Sequence, residues 1–246
     1  MKGIILAGGF GTRLLPLTKV TNKHLLPVYK KPMIMYPLET LLNAGIKDIL
    51  FILGPEHAGD FLNLLGSGKD FGARFTYEIQ SEALGTANAL SLAETFADNS
   101  NFAVVLGDNI LPFSIKDEIQ SFEKKSKFFL GQIFLKEVEN PTKYGVVTFA
   151  GEKITSIEEK PSKPKSNFAI TGVYCFSPEI FSLMKKLKKS ERNEFELTDL
   201  LNLLAKQGKL SFSILKQSWT DAGDFDSYFK AINLLQKLDL DGKLNE

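Results

Sequence analysis

Leu6-Ala7-Gly8-Gly9-Phe10-Gly11-Thr12-Arg13-Leu14 closes the run that starts at Lys2, and Lys23 follows soon after it. Lys2 to Ala7 is short and apolar, as a buried strand is, and it ends where Gly8, Gly9 and Gly11 release the backbone. Glycines let successive N–H groups turn toward one point and form a concave anion site, and Arg13 and Lys23 add fixed positive charge suited to a triphosphate. Two better-known glycine loops are excluded by the letters. A dinucleotide fingerprint needs glycine where Leu14 stands, and a Walker loop needs Gly-Lys-Ser/Thr where Gly11-Thr12-Arg13 stands. A turn that merely joins strand to helix is the competing reading, and the two cations weigh against it.

Outward from this loop, strand-like runs alternate with amphipathic stretches. Ile4 to Ala7, Ile49 to Leu53, Phe75 to Ile79 and Phe102 to Leu106 read as strands; Ile34 to Asn43, Ala58 to Leu65 and Thr86 to Phe96 read as helices. The alternation predicts an α/β fold with a largely parallel central sheet and helices on both faces. Ligands of such sheets gather at the carboxyl ends of strands, where Gly8, Gln80 and Asp108 would all lie. The second half changes rhythm, with Phe128 to Leu135, Val146 to Phe149, Lys153 to Glu158 and Ala169 to Phe176 reading as strands joined by turns. That region is expected to form a smaller β-rich annexe. Helices return at Pro178 to Leu187, Glu196 to Gln207 and Phe225 to Leu238, and no internal repeat is visible.

Composition bounds the function. The 246 residues are 43% hydrophobic and 24% charged, which suits a globular chain with one large core. Thirty Lys and Arg against 29 Asp and Glu leave a formal charge of +1, so no global field draws nucleic acid or an anionic membrane. Cys175, the single cysteine, excludes an internal disulfide and a multi-cysteine zinc site and reads as a core thiol within Ile170 to Phe176. No apolar run approaches the ~18 residues of a membrane helix, and the glycine loop follows Met1 too soon for a signal peptide. The cytoplasm is the expected compartment. Lys185, Lys186, Lys188 and Lys189 end a helix and read as a solvated face.

Asp108 follows the run Phe102 to Gly107, so a carboxylate stands at a strand's end, where a magnesium ligand is expected. Mg²⁺ takes one or two carboxylates plus substrate phosphates, and Asp221 in Trp219-Thr220-Asp221-Ala222-Gly223 is the candidate second ligand. For an isolated Asp beside Asn or Gly, turn formation or helix capping is the commoner role, and the anion loop tips the balance toward metal.

The chain resembles the sugar-1-phosphate nucleotidyltransferases, and most closely their glucose-1-phosphate thymidylyltransferase branch in its short form. The resemblance is carried by Leu6 to Leu14, Lys23 with Leu25-Leu26-Pro27, Lys31-Pro32-Met33-Ile34, Leu106-Gly107-Asp108-Asn109, Tyr144-Gly145-Val146-Val147, Glu158-Glu159-Lys160-Pro161, Lys165-Ser166-Asn167, Thr171-Gly172-Val173-Tyr174, Glu196-Leu197-Thr198-Asp199 and Asp221-Ala222-Gly223. It spans almost the whole chain in the family's order and implies a Rossmann-like nucleotidyltransferase fold with a β-rich sugar-binding subregion. One domain is expected over 1–246, with a nucleotide-binding half, 1–110, and a sugar-phosphate-binding half with the C-terminal helices, 111–246.

The reaction that the resemblance implies is attack of glucose 1-phosphate on the α-phosphorus of dTTP, giving dTDP-glucose and pyrophosphate without a covalent enzyme intermediate. By the same likeness Arg13, Lys23 and Lys160 are the catalytic cations, and Asp108 and Asp221 carry Mg²⁺. Leu6, Ala7, Gly8, Gly9, Gly11, Thr12, Arg13, Gln80, Gly85 and Asp108 resemble the nucleotide-binding positions. Asn109, Tyr144, Gly145, Glu159, Lys160 and Val173 resemble the sugar-phosphate positions. His24 stands where many relatives carry glutamine and stays open between ligand contact and an ordinary loop histidine; His57 is given no role. The segment Ala83 to Ala89 departs from the thymidylyl pattern, so a UTP-dependent or other hexose-1-phosphate enzyme is the alternative, and an inactive nucleotide-sugar sensor a further one. The likeness also implies a homo-oligomer, commonly a tetramer, and a place in dTDP-rhamnose and polysaccharide biosynthesis. Because the chain ends at Glu246, short of the long forms, weakened or absent feedback through their regulatory nucleotide site is expected.

Overall fold

The computed structural model describes residues 1–151 and 153–243 and has a mixed α/β architecture. Its first strands and helices are β1 (Lys2–Ala7), β2 (Pro27–Val28), β3 (Lys31–Pro32), α1 (Met35–Asn43), β4 (Asp48–Leu53), α2 (Ala58–Leu65) and β5 (Arg74–Ile79). There follow α3 (Thr86–Ser91), α4 (Glu94–Ala97), β6 (Phe102–Leu106), β7 (Asn109–Ile110), α5 (Lys116–Lys125), β8 (Gly131–Glu137), β9 (Gly145–Ala150), β10 (Lys153–Glu159) and β11 (Phe168–Phe176). The last are α6 (Ile180–Met184), α7 (Leu197–Lys206), β12 (Leu210–Ile214), β13 (Thr220–Asp221) and α8 (Phe225–Leu240).

Chain contacts define two compact units, each discontinuous in sequence. The loop unit comprises Lys2–Ala83, Val105–Asp117 and the described residues from Gln217 onward; the β-rich unit comprises Met1 and the described residues of Leu84–Val104 and Glu118–Lys216. Strand β6 carries the chain from the second into the first, the boundary falling after Val104.

In the loop unit β1, β4 and β5 pair in parallel, with Gly3 opposite Ile49 and Asp48 opposite Arg74. Apolar side chains dominate β1 and β4 because both faces are covered, and five of six residues in each are buried. Strand β5 is half exposed instead, and Arg74 clamps it to β4 through two hydrogen bonds to Asp48 of 2.7 and 3.1 Å. Helix α1 lies so close to β1 that a Cβ on Gly3 would come within 2.8 Å of Leu41 Cδ1. A separate cluster joins Leu14, Leu26, Val28, Met33 and Tyr36 to Ile110, Ala222, Tyr228, Ala231 and Leu235. It packs the segment after the glycine loop against α8, and so ties the loop's far end to the chain's last helix.

The β-rich unit is built on β11, antiparallel to both β8 and β9, with β10 antiparallel to β9 and β12 parallel to β8. Register shifts between Ile170 and Tyr174, so the strand bulges where Thr171-Gly172-Val173 lies. Helix α7 packs on β10, where the Asn202 side chain accepts from Ile157 N–H at 3.1 Å and donates to its carbonyl at 2.8 Å.

The expected strands and most expected helices are present. Three differences stand out. The helix expected over Thr86 to Phe96 is two short helices, α3 and α4, separated at Leu92-Ala93. Lys116–Lys125 and Leu210–Ile214 form a helix and a strand that periodicity had not marked. Finally, β8 begins at Gly131 rather than Phe128, whose ring is 69% exposed.

Candidate active site

Strand β1 stops at Ala7 and hands the chain to the glycine loop. Gly11 has φ +67, a left-handed conformation that costs glycine nothing, and its carbonyl accepts from Leu14 N–H and from the Thr18 hydroxyl, each at 2.9 Å. Thr12–Leu14 then form a single 3-10 turn that buries Leu14 and leaves Arg13 exposed. Gly8 meets another constraint: a Cβ there would stand 2.7 Å from Gln80 Oε1. Gln80, one residue past β5, is only 8% exposed, so it is an inward-facing neighbour of the loop and not a surface turn residue.

Lys23 and Asp108, 85 residues apart, form a close ion pair, with Nζ 2.6 Å from Oδ2. Gly107 N–H donates to Leu6 carbonyl at 2.9 Å, which sets the end of β6 beside the end of β1 and so delivers Asp108 to the loop. Burial alone would push the Asp108 carboxyl up, but the Lys23 charge and hydrogen bonds from Lys23 and Asn109 outweigh it and hold the carboxyl well below the usual range.

Asp221 arrives by a two-residue bridge. Strands β7 and β13 pair antiparallel, with Asp221 opposite Asn109, and Ala222 N–H donates to Asp108 carbonyl at 2.9 Å. Trp219 Nε1 donates to Asn109 Oδ1 at 2.7 Å, which holds Asn109 in the structure of the bridge. The next residue is Gly223. A Cβ built there would stand 3.1 Å from Asp221 Oδ2, 3.1 Å from Arg13 Nη2 and 3.4 Å from Asp108 Oδ2. Both carboxylates and the guanidinium therefore converge on the space that a larger residue 223 would fill.

His24 is resolved as a buried residue, 2% exposed. Its ring Nδ1 lies 2.8 Å from Asn22 Oδ1, which also accepts the His24 N–H at 3.0 Å. Burial first, and the Lys23 charge second, lower its pKa to about 3, so the ring is neutral at pH 7. A Cβ on Gly107 would come within 2.6 Å of His24 Cδ2, so the Leu106-Gly107-Asp108 motif uses glycine to admit this ring.

The β-rich unit gathers the other expected residues. Gly145 and Glu159 are register partners of β9 and β10, and a Cβ on Gly145 would lie 3.4 Å from Glu159 Oε2. Lys160 leaves the strand with φ +46, unusual for a non-glycine residue, while its N–H donates to Tyr144 carbonyl at 2.9 Å. Its ammonium is 3.7 Å from Glu159 Oε1. Burial, with Glu196 adding to it, raises the Glu159 pKa against the opposing charges of Lys160 and Arg192. Val173 is fully buried in the β11 bulge. Gly85 caps α3 at φ +102 and is hemmed in by the Phe195 carbonyl, which a Cβ would approach to 2.5 Å.

Arg192 and Glu196 are the residues that sequence reasoning left without a role. The guanidinium bonds Glu196 Oε1 at 2.7 and 3.0 Å and lies 3.9 Å from Glu159, which puts a second cation beside the Lys160 carboxylate partner. Spacing four residues apart along the chain was the available signal, but a charged pair at that spacing is common on any surface.

A glycine turn at the end of β1, two cations beside it and two carboxylates that converge over Gly223 are features suited to a phosphate-bearing ligand. The chain belongs to the nucleotidyl transferase family, whose profile matches residues 2–237. It is 44% identical over 244 residues to the glucose-1-phosphate thymidylyltransferase of Neisseria meningitidis, covering 96% of this chain and 83% of that one. To the enzyme of the same name from Mycolicibacterium smegmatis it is 43% identical over 245 residues, 98% of this chain and 84% of the relative. Among solved structures, a Bacillus anthracis protein assigned as a glucose-1-phosphate thymidylyltransferase, in complex with sucrose, superposes with TM-score 0.91 at 45% identity over 95% of this chain and 94% of that one. A UDP-glucose pyrophosphorylase complexed with UDP-glucose superposes with TM-score 0.83 at 28% identity over 96% and 98%.

Proposed function

We propose that this protein transfers the thymidylyl group of dTTP to glucose 1-phosphate, releasing pyrophosphate and forming dTDP-glucose. The observation that carries the chemistry is the convergence of Arg13, Asp108 and Asp221 on the space over Gly223, beside a glycine loop. The choice of dTTP and glucose 1-phosphate is supported by the 43–44% identity to thymidylyltransferases over nearly the whole chain.

In the proposed reaction an oxygen of the sugar phosphate bonds to the α-phosphorus as the bond to the β-phosphate oxygen breaks. The attacking oxygen is already ionised, so the protein's task is positioning two anions and offsetting their charge. Backbone N–H groups of Gly8, Gly9 and Gly11 cradle the triphosphate, Arg13 stabilises the departing pyrophosphate and Lys23 assists it. Lys160 holds the sugar phosphate, with Arg192 as an additional cation, and Glu159 accepts from sugar hydroxyls. Gln80 and Gly85 read the pyrimidine.

Asp108 and Asp221 offer hard oxygen donors facing one space, which fits Mg²⁺. In this reading Asp108 and Asp221 would hold Mg²⁺ together with substrate phosphates; among the described residues no group of three or more His, Cys, Asp or Glu could hold a metal ion. Bound there, Mg²⁺ supplies charge neutralisation to the phosphates. Among the described residues no helix is long and apolar enough to cross a membrane. A cytoplasmic location is part of the proposal. A homo-oligomer and a supply role for deoxysugar and polysaccharide synthesis complete the reading.

A UTP-dependent enzyme is the second reading, favoured by the 0.83 TM-score to a UDP-glucose pyrophosphorylase. The deciding experiment measures pyrophosphate release with Mg²⁺ for dTTP, UTP, CTP, GTP and ATP against glucose, galactose, mannose and N-acetylglucosamine 1-phosphates. Preference for dTTP with glucose 1-phosphate supports the first reading, and preference for UTP replaces it with the second. A folded protein silent on every pair would make it a nucleotide-sugar sensor.

A further inference from the structure

Lys23 reaches two anion-directed features at once. Its ammonium is 2.6 Å from Asp108 Oδ2, while a Cβ built on Gly9 would lie 3.6 Å from its Cε and 3.9 Å from its Nζ. The stem passes under the glycine loop, since a Cβ on Gly11 would meet Lys23 Cβ at 2.8 Å and Cγ at 3.3 Å. One flexible side chain thus spans the metal-directed carboxylate and the loop backbone that faces a polyphosphate. Lys23 and Asp108 are 11% and 14% exposed at their side chains, so solvent and salt screen this pair weakly.

We propose that Lys23 is a charge placeholder: it occupies Asp108 in the free protein and transfers to the triphosphate when nucleotide fills the loop, which opens Asp108 to the divalent cation. The proposal rests on the assignment of Asp108 and Asp221 as metal-directed carboxylates. An ammonium on Oδ2 opposes a divalent cation both by taking the donor oxygen and by charge repulsion. Polyphosphate draws that ammonium the other way. Affinities for metal and triphosphate are therefore coupled through one side chain, and by linkage each raises the other by the same factor. Free metal is disfavoured until the substrate that needs it is present.

The test is Mn²⁺ binding to nucleotide-free protein, followed by the electron paramagnetic resonance of the free ion. Lys23→Met is expected to bind Mn²⁺ at least about tenfold more tightly than wild type, within the usual range of linked sites. Asp108→Asn should bind more weakly, and adding Lys23→Met to it should recover nothing. Equal affinity in wild type and Lys23→Met, with loss in Asp108→Asn, overturns the placeholder and leaves the metal assignment standing. Wild-type affinity in both Asp108→Asn and Asp221→Asn overturns the metal assignment itself. Should Lys23→Met not fold, the wild-type protein carries the test. Acetic anhydride labelling of Lys23, read by peptide mass, is expected to rise several-fold when saturating Mn²⁺ displaces the ammonium, and unchanged labelling overturns the proposal.

Discussion

Arg13 is exposed, yet its guanidinium converges with two carboxylates on the bare Cα of Gly223. In the proposed reaction, charge placed there would act on the departing pyrophosphate, and the demand for it would grow as pyrophosphate leaves. Arg13→Ala is expected to lower kcat by about 100-fold, the loss typical of one electrostatic donor, with little change in the KM for glucose 1-phosphate. Steady-state kinetics with both substrates varied will show this, and an effect confined to the sugar KM would remove Arg13 from that role. His24 makes a different prediction. Its folded pKa, about 3, is below its ordinary 6.5, so the unfolded chain takes up a proton over that window and the folded chain does not. Stability contributed by the neutral ring is full above pH 6.5 and falls as pH drops toward 3. Between pH 7 and pH 5 the loss is about 2 kcal/mol. Urea unfolding at the two pH values should show it in wild type and not in His24→Gln; an identical pH dependence in both proteins would refute it.

Elements decide where these residues stand. Helix α8 begins three residues after Ala222, and its capping box is complete: Asp224 Oδ1 accepts from Ser227 N–H at 3.0 Å, and Asp224 N–H donates to Ser227 Oγ at 3.2 Å. The helix buries Tyr228, Ala231 and Leu235 in the cluster that holds Leu14, Leu26 and Met33. Asp224→Ala is expected to cost about 1 kcal/mol of stability, measured by urea denaturation. Destabilisation of that size with normal turnover would make the cap purely structural, whereas loss of turnover beyond it would show that α8 also sets Asp221. At this scale the sequence was legible wherever periodicity was strong. Phe102–Leu106 and Ala58–Leu65 matched their expected bounds because each has a clear apolar pattern between turn signals. Lys116–Lys125 escaped notice because only Ile119 and Phe122 are buried in a charged segment, too few to mark a face. Strand β12 escaped because Ser-Phe-Ser alternation over five residues is weak, and its parallel partner β8 lies some 80 residues away.

For the whole molecule, balanced charge has a measurable consequence. A formal net charge of +1 offers no field to a polyanion, so a fluorescent random-sequence duplex should show no binding in anisotropy titrations at physiological ionic strength, even with the proposed triphosphate site intact. Salt-sensitive micromolar binding would require a basic surface that the composition does not suggest. The sequence by itself determined the alternation of strands and helices, the glycine loop and the residues that carry the family likeness, because backbone freedom, apolar period and short motifs are local properties. Tertiary structure decided what those residues face. Asp108 and Asp221 are more than a hundred positions apart, and only the β7–β13 bridge puts both beside Gly223. The Lys23–Asp108 contact, the buried neutral state of His24 and the Arg192–Glu159 approach are likewise long-range, since each depends on distances and burial that no spacing along the chain encodes.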